Sequence, residues 1–332
     1  MKGAIMVPLD GSAFGEQALP LARQLARKAR AELHLVHVHQ PVQPAMYAQD
    51  IAVYTGQLEE EARAREAEYL ASLENRSAEL AGVVVRRALL DGPVAPALAR
   101  YAEEEGVGLI VMTTHGRGGL SRAWLGSVAD ALVREATIPV LALRPRDVGT
   151  AEDDPREFRR ILIPLDGSPL AEQILEPAIE LGRLTDAEYT LLHVVVPPFV
   201  LMPPTSAVVL EPEADGGVGP HGSEQYLAEV AAQLREAGHR VKAVVETYPN
   251  AAQGVLDYAK QNEIDLIAMS THGRTGFSRI ALGSVSDKVL RGADVPVLLL
   301  RVRKGAARSG KEGDDDAAQL ETVVESPAAA PR

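Results

Sequence analysis

The chain carries the same domain-length pattern twice, and this repeat limits the folds open to it more than any other feature. Residues 5–12 read I-M-V-P-L-D-G-S, and residues 161–168 read I-L-I-P-L-D-G-S. Residues 113–130 and 270–287 share [ST]-T-H-G-R-x-G-x-S-R and, two residues later, L-G-S-V-x-D. Repeats of this length indicate a duplicated domain rather than a solenoid of small units.

The spacing of these landmarks places the two copies along the chain. Asp10 and Asp166 are 156 positions apart and Gly126 and Gly283 are 157 apart, so one gap aligns the copies. A length of 332 residues also suggests two domains. We expect a first domain over residues 1–145, a linker over 146–158, a second domain over 159–303 and a disordered tail over 304–332.

Within each copy, short apolar runs alternate with stretches of helical periodicity. This alternation predicts an α/β fold with a parallel sheet and helices on both faces. Pro20 lies inside a predicted helix and is expected to kink it, and Pro177 lies near the same place in the second copy. The predicted strands lie near 3–9, 32–38, 83–89, 108–113, 139–143, 160–165, 188–195, 240–247, 264–270 and 295–301. The predicted helices lie near 13–29, 53–81, 94–105, 127–136, 169–184, 222–237, 251–262 and 284–291.

Composition excludes several classes of function. The net charge is −12 and no basic stripe is present, which argues against nucleic acid as a partner. The chain has no cysteine, so disulfides and thiolate chemistry are excluded. No apolar run is long enough to span a bilayer, and the first residues lack a signal-peptide pattern. We therefore expect a cytoplasmic protein without a membrane partner.

The repeated loop has the means to hold phosphate. A glycine-containing loop between a strand and a helix presents backbone N–H groups, and a helix start attracts anions. Ser127-x-x-Asp130 and Ser284-x-x-Asp287 also match capping boxes, which begin many helices that bind nothing. Both aspartates would oppose a phosphate unless a cation or nearby arginines screen them. The candidate arginines are Arg117, Arg122, Arg274 and Arg279.

H-G-R-x-G followed by G-S-V resembles the nucleotide loop of the universal stress protein family. The ATP-binding members of that family carry G-x-x-G, nine residues, then G-[ST]. Gly116 and Gly273 fit this spacing to the later Gly-Ser, while Thr113 and Ser270 replace the first glycine. The resemblance covers nearly the whole chain in two copies. It implies a five-stranded sheet of order 3-2-1-4-5 in each copy, with ATP bound where the strand order reverses.

The resemblance also implies the residues that would contact ATP. Asp10 and Asp166 could instead build only the Asx turn that D-G-S favours. His115 and His272 could bind phosphate or hold the shape of the loop, and we favour loop shape. The full set in the first copy is Pro8, Leu9, Asp10, Val38, Met112, Thr113, His115, Gly116, Arg117, Gly126, Ser127 and Val128. In the second copy it is Pro164, Leu165, Asp166, Val194, Met269, Ser270, His272, Gly273, Arg274, Gly283, Ser284 and Val285.

No catalytic set emerges from the sequence. His37 and His193 lie within predicted strands, so buried, hydrogen-bonded histidines are expected rather than metal ligands. No Walker lysine loop and no assembly of nucleophile, base and orienting group is present. Catalysis is not indicated beyond slow hydrolysis of a bound nucleotide. No protein metal ligand is assigned, and Mg²⁺ or Mn²⁺ would be held through the phosphates.

These patterns lead to one hypothesis about function and two alternatives. The hypothesis is a stress-response regulator or sensor that binds ATP in each domain and acts on an unidentified regulatory protein partner. The alternatives are a scaffold of the same fold that binds no nucleotide, and a slow nucleotide hydrolase. Family domains commonly dimerise through strand 5. The apolar residues 139–144 and 296–301 are therefore expected to pair, as an intramolecular pseudo-dimer or between two chains of a homodimer.

Overall fold

A computed structural model of the chain describes residues 2–41, 52–114, 125–145, 157–197, 220–272 and 282–302. Strands and helices alternate in both halves, as predicted. The N-terminal half contains β1 (Ala4–Leu9), α1 (Ala13–Glu16), α2 (Leu19–Ala29), β2 (Leu33–His39), α3 (Ala52–Ala81), β3 (Val85–Asp91), α4 (Val94–Glu104), β4 (Val107–Thr113), α5 (Ser127–Glu135) and β5 (Val140–Leu143). The C-terminal half contains β6 (Arg160–Pro164), α6 (Pro169–Glu172), α7 (Leu175–Arg183), β7 (Glu188–Val195), α8 (Pro220–Glu236), β8 (Arg240–Thr247), α9 (Ala251–Gln261), β9 (Leu266–Ser270), α10 (Ser284–Gly292) and β10 (Val297–Leu300).

The ten strands of the described residues form one sheet of order β3-β2-β1-β4-β5-β10-β9-β6-β7-β8. Pairing within each half is parallel, which gives the predicted order 3-2-1-4-5 twice. The halves meet where β5 pairs antiparallel with β10. The predicted intramolecular pseudo-dimer is therefore confirmed, and the two sheets are continuous.

The inner strands are mainly apolar because both faces of the sheet are covered by helices. Successive side chains of β1 enter opposite cores: Ile5 and Val7 pack under α2 and α3, whereas Met6 packs on the side of α4 and α5. The outer strands β3 and β8 are only partly buried and carry Arg86, Arg87, Arg240 and Lys242. Charges on an edge strand discourage pairing with a further strand.

The helix predicted over residues 13–29 is two helices, so the disruption expected at Pro20 is a break just before it and not a kink within one helix. Ser12 accepts a hydrogen bond from the N–H of Gly15 and caps α1, which ends after one turn. The chain then restarts as α2, with Pro20 in the first turn. A proline there interrupts no helical hydrogen bond, since the first N–H groups of a helix lack partners within it. Pro177 lies in the first turn of α7 for the same reason.

The junction between the halves is apolar at its centre and polar at its rim. Leu141 and Leu298 are paired in register, and both are fully buried in one core shared by the two halves. The guanidinium of Arg144 lies 3.0 Å from a carboxylate oxygen of Asp294, and that of Arg301 donates to the carbonyl of Glu135 at 2.9 Å. These two arginines occupy equivalent places in the repeat and reach across the junction in opposite directions.

Charges placed at this junction should separate the halves. Leu141→Glu with Leu298→Glu would bury two carboxylates beside each other, which costs several kcal/mol through desolvation and repulsion. We expect the radius of gyration in small-angle scattering to increase while helix content by circular dichroism stays unchanged. Leu141→Met with Leu298→Met is the size-matched control and should stay compact. A compact Glu variant would contradict the assignment of this contact.

Candidate functional site

The topology creates one crevice in each half. β1 pairs with β2 on one side and with β4 on the other, so the strand order reverses between β1 and β4. Ligands of parallel α/β sheets bind outside the carboxyl ends of the strands at such a reversal. Asp10 follows β1 and Thr113 ends β4, so the structure brings these sequence-predicted residues to one edge of the sheet. Asp166 and Ser270 take the same places at β6 and β9.

Asp10 and Asp166 both build the turn that follows the first strand of their half. Oδ1 of Asp10 accepts hydrogen bonds from the backbone N–H of Ser12 at 3.0 Å and from its hydroxyl at 2.6 Å. Asp166 and Ser168 repeat both bonds at 3.0 and 2.6 Å. The intervening Gly11 has a φ of 79°, a left-handed conformation that glycine adopts without strain. The Asx turn considered from the sequence is therefore present in both halves.

Two buried histidines fix the ends of the strands that precede these aspartates. Nδ1 of His37 lies 2.7 Å from the carbonyl oxygen of Leu9, and Nδ1 of His193 lies 2.8 Å from that of Leu165. Because a carbonyl can only accept, Nδ1 carries the proton in each ring. The prediction of buried, hydrogen-bonded histidines is confirmed.

The loop after the fourth strand of each half is tied at its two ends. The N–H of Gly126 donates to the carbonyl of Thr114 at 2.8 Å, and the N–H of Gly283 donates to that of Thr271 at 2.8 Å. Sequence reasoning missed both threonines, which are buried. The signal was available, because this threonine precedes His-Gly-Arg in both copies. In each half, one backbone hydrogen bond therefore joins the residue before the loop to the residue after it, and the spacing from His-Gly-Arg to Gly-Ser is the same in both copies.

The helix that follows this loop begins one residue earlier than a capping box requires. Gly126 and Gly283 are the N-caps of α5 and α10, so Ser127 and Ser284 are exposed first residues of the helix and cap nothing. The capping-box interpretation is therefore wrong. The first helical bond runs from the N–H of Asp130 to the carbonyl of Gly126 at 2.9 Å. The N–H groups of the three residues between them have no partner within the helix.

The acidic residue in the first turn of each helix is neutralised by the helix itself. The guanidinium of Arg134 donates to both carboxylate oxygens of Asp130 at 2.9 Å, and Nε of Arg291 lies 3.0 Å from both oxygens of Asp287. The hydrogen bond to Asp130 is the main cause of a raised pKa of Arg134. The carboxylate near the positive end of each helix is therefore paired with an arginine and is not an isolated negative charge.

Apolar members of the predicted site divide between the two faces of the sheet. Val38 and Met112 are buried in the core beneath α4 and α5, with Val128 packed against it. In the second half Met269 is buried in the same core, with Val194 and Val285 partly buried against it. The side chains of Leu9 and Leu165 belong to the opposite core. These leucines could contribute only backbone atoms to a ligand on the α5 face, whereas Pro8 and Pro164 are partly exposed.

Part of the predicted site lies outside the described residues, namely His115, Gly116, Arg117, Gly273 and Arg274. His272 is described, and its Nδ1 lies 3.0 Å from the hydroxyl of Thr271. The hydroxyl of Ser270 donates to the carbonyl oxygens of Leu170 and Ala171 at 3.0 and 3.2 Å, which joins the end of β9 to α6.

Within the six described ranges, no group of three or more His, Cys, Asp or Glu side chains could hold a metal ion. Among the helices in those same ranges, none combines the length and the apolar character needed to cross a membrane.

The chain is thus a tandem α/β protein in which each half has a reversal of strand order, the place where α/β proteins commonly bind ligands. The sequence model of the universal stress protein family matches residues 1–144 and again residues 157–301. The chain belongs to the universal stress protein family.

Relatives with one and with two domains support this assignment. The chain is 33% identical over 149 residues to a universal stress protein of Methanocaldococcus jannaschii, covering 44% of this chain and 84% of that one. It is 29% identical over 304 residues to a universal stress protein of Mycolicibacterium smegmatis, covering 90% and 97% of the two chains. A crystal structure of a universal stress protein from Archaeoglobus fulgidus shares the fold, with a TM-score of 0.66, 19% identity and coverage of 90% and 98%.

A side chain at Gly283, the N-cap of α10, should weaken its backbone hydrogen bond to Thr271. A Cβ at Gly283 would lie 2.7 Å from the carbonyl oxygen of Thr271, so the two backbone segments would have to separate. We expect Gly283→Ala to lower the free energy of unfolding by about 1–3 kcal/mol in urea titrations. Gly56→Ala is the control, since Gly56 lies in α3 with nothing within 4 Å of an added Cβ. It should be neutral or stabilising by about 1 kcal/mol. Equal stability of Gly283→Ala and wild type would contradict the close approach.

Proposed function

We propose that each half of the chain binds one ATP in its crevice, and that the bound nucleotide makes the protein a cytoplasmic regulator or sensor in the stress response. The output would pass to a regulatory protein partner. The observation that carries this proposal is the start of α5 and of α10, each of which follows a loop whose two ends are joined by a backbone hydrogen bond. In each half, three backbone N–H groups without partners in the helix stand beside the strand-order reversal.

The charges around these helix starts support a phosphate ligand. The N-terminus of a helix carries a partial positive charge, and anions bind there through the free N–H groups. The carboxylate in the first turn is held by the arginine one turn later, in both α5 and α10. A phosphate would therefore meet a paired aspartate rather than an unscreened one.

The pairing of Asp130 with Arg134 also affects which groups could coordinate a divalent cation. Both oxygens of Asp130 already accept hydrogen bonds from Arg134, so this carboxylate is engaged before any cation arrives. Mg²⁺ often keeps several waters and is held by substrate phosphates with few protein ligands. The residues present fit Mg²⁺ or Mn²⁺ coordinated mainly by the ATP phosphates, where the cation would neutralise phosphate charge.

A scaffold of the same fold with no nucleotide is the competing function, and Ser270 favours it. Serine places a Cβ where the ATP-binding loops of the family have glycine, and its hydroxyl is engaged by the carbonyls of α6. Adenine nucleotide in about equimolar or twofold proportion, released from the purified protein by heat, would exclude the scaffold. No released nucleotide, together with no heat of ATP binding in calorimetry, would exclude our proposal.

A side chain at Gly116 should remove nucleotide binding from the N-terminal half, and one at Gly273 should remove it from the C-terminal half. A valine at Gly116 or Gly273 would occupy the space that a phosphate needs. By calorimetry with Mg-ATP, we expect two sites in wild type, one in either single variant and none in the double variant. Gly56→Val changes an exposed helical glycine and should leave two sites. Normal binding by the double variant would show that the loop does not hold phosphate.

Asp10→Asn should separate the two roles of this aspartate. Asparagine keeps the oxygen that accepts from Ser12, so the turn should persist and the melting temperature should change little. It removes the charge, and loss of a charge-assisted hydrogen bond of about 1.5 kcal/mol corresponds to about tenfold weaker ATP binding in this half. Asp166→Asn should do the same in the second half. Unchanged affinity would mean that the carboxylates serve the turns alone.

A further inference from the structure

A buried histidine near the crevice of the N-terminal half lies between two glutamates. His39, the last residue of β2, has no solvent-exposed surface. Its Nδ1 lies 2.7 Å from a carboxylate oxygen of Glu66, and its Nε2 lies 2.5 Å from one of Glu59. Both glutamates belong to α3, two turns apart, so one ring joins two points of the helix to the sheet.

The number of protons decides whether both contacts can exist. A neutral imidazole has one N–H, whereas two carboxylates need two donors. The arrangement is satisfied only when the His39–Glu59 pair carries one extra proton, whichever of the two formally holds it. Without that proton, a lone pair would face a carboxylate at 2.5 Å. One of the two contacts would then have to open.

Further charged and titratable groups near His39 lie on α3, β2 and β3. On α3, Arg63 lies 3.9 Å from Glu59 and also contacts Asp91, the residue of β3 paired in register with His39. On β2, Nε2 of His37 lies 3.5 Å from the second oxygen of Glu66, and the ring of Tyr69 packs edge-on against His37. Arg63 partly offsets Glu59, but the two carboxylates remain the nearest charges to the imidazole.

The second half lacks this arrangement at the equivalent place. The repeat aligns His37 with His193, which puts Val195 where His39 stands. It aligns Leu70 of α3 with Leu227 of α8, both buried, which puts Ser223 where Glu66 stands. The second half therefore serves as an internal control for any property that depends on His39.

We propose that His39, Glu59 and Glu66 form a proton-dependent clamp that ties α3 to the end of β2 in the N-terminal half only. With the extra proton the clamp is closed; without it the first turns of α3 separate from the sheet. The clamp does not rest on nucleotide binding. It is placed beside the candidate site, because Glu66 also faces His37, whose other nitrogen binds the carbonyl of Leu9.

The sign of the pH dependence follows from the pKa of His39. Burial alone lowers this pKa, but the hydrogen bonds and charges of Glu66 and Glu59 outweigh burial and raise it. A group with a raised pKa in the folded state stabilises that state fully below its unfolded pKa, about 6.5 for histidine. The stabilisation is lost as pH rises through the higher, folded value. The clamp is therefore closed in mildly acidic solution and opens on the alkaline side.

Amide hydrogen exchange of the full chain tests the clamp. Between about pH 6 and pH 9, corrected for intrinsic rates, we expect protection of residues 56–66 to fall by up to about tenfold per pH unit between the two pKa values. Residues 222–236 of α8 should show no such fall. His39→Val, which copies the second half, should make the protection of α3 independent of pH. The same pH slope in His39→Val, or a flat profile in wild type, would overturn the proposal.

Nuclear magnetic resonance of the wild-type side chain gives a test that needs no variant. With ¹⁵N-labelled histidine, His39 should show two N–H groups near neutral pH and titrate with a midpoint above about 6.5. A His39 with one N–H that titrates below this value would overturn the clamp even if His39→Val failed to fold.

Discussion

The antiparallel pairing of β5 with β10 is the contact on which the rest of the architecture depends. Both strands have four apolar residues, and nearly all are buried. A strand of this kind at a free sheet edge would expose unpaired backbone groups together with apolar side chains. Each edge instead meets its own repeat. Because both belong to one chain, their effective concentration is high and the pairing is favoured.

This pairing determines where the candidate sites lie. β4 neighbours β5, and β9 neighbours β10, so each crevice is one strand away from the junction. The helices that begin beside the crevices are within electrostatic range of each other. The pKa of Arg134 is raised mainly by its hydrogen bond to Asp130, and Asp287 of the other half adds to this effect. An anion at one helix start would therefore act on charges that belong to both halves.

The two halves keep the same crevice but differ on the outer side of the sheet. The turn of Asp10 is reproduced at Asp166 with the same hydrogen-bond lengths of 3.0 and 2.6 Å. In contrast, α3 contributes Glu59 and Glu66 to the buried His39, whereas the second half has Val195 at the position of His39. Duplication thus preserved the backbone geometry that the strand reversal requires and allowed the helices on the outer strands to diverge.

The sequence by itself determined the repeat, the alternation of strands and helices, and membership of a family, because apolar periodicity and repeated motifs are local properties of the chain. It also indicated that His37 and His193 would be buried. The starts of α5 and α10 at Ser127 and Ser284 agree with the prediction, but the capping does not: Ser-x-x-Asp matches a capping box, whereas the N-caps are Gly126 and Gly283. The break between α1 and α2 lies just before Pro20, which has no N–H to continue the helix from α1, whereas the apolar periodicity runs through the break.

Only the tertiary structure decided which side chains meet. Residues far apart in the chain, such as His39 and Glu59 or Arg301 and Glu135, come together through the strand order and the junction. The face on which Leu9 and Met112 lie follows from the register of neighbouring strands, and a shift of one residue would reverse it. Contacts between distant side chains depend on the global arrangement, so no local pattern in the sequence specifies them. The pairing of residues 139–144 with 296–301 was expected from the family resemblance and not from such a pattern.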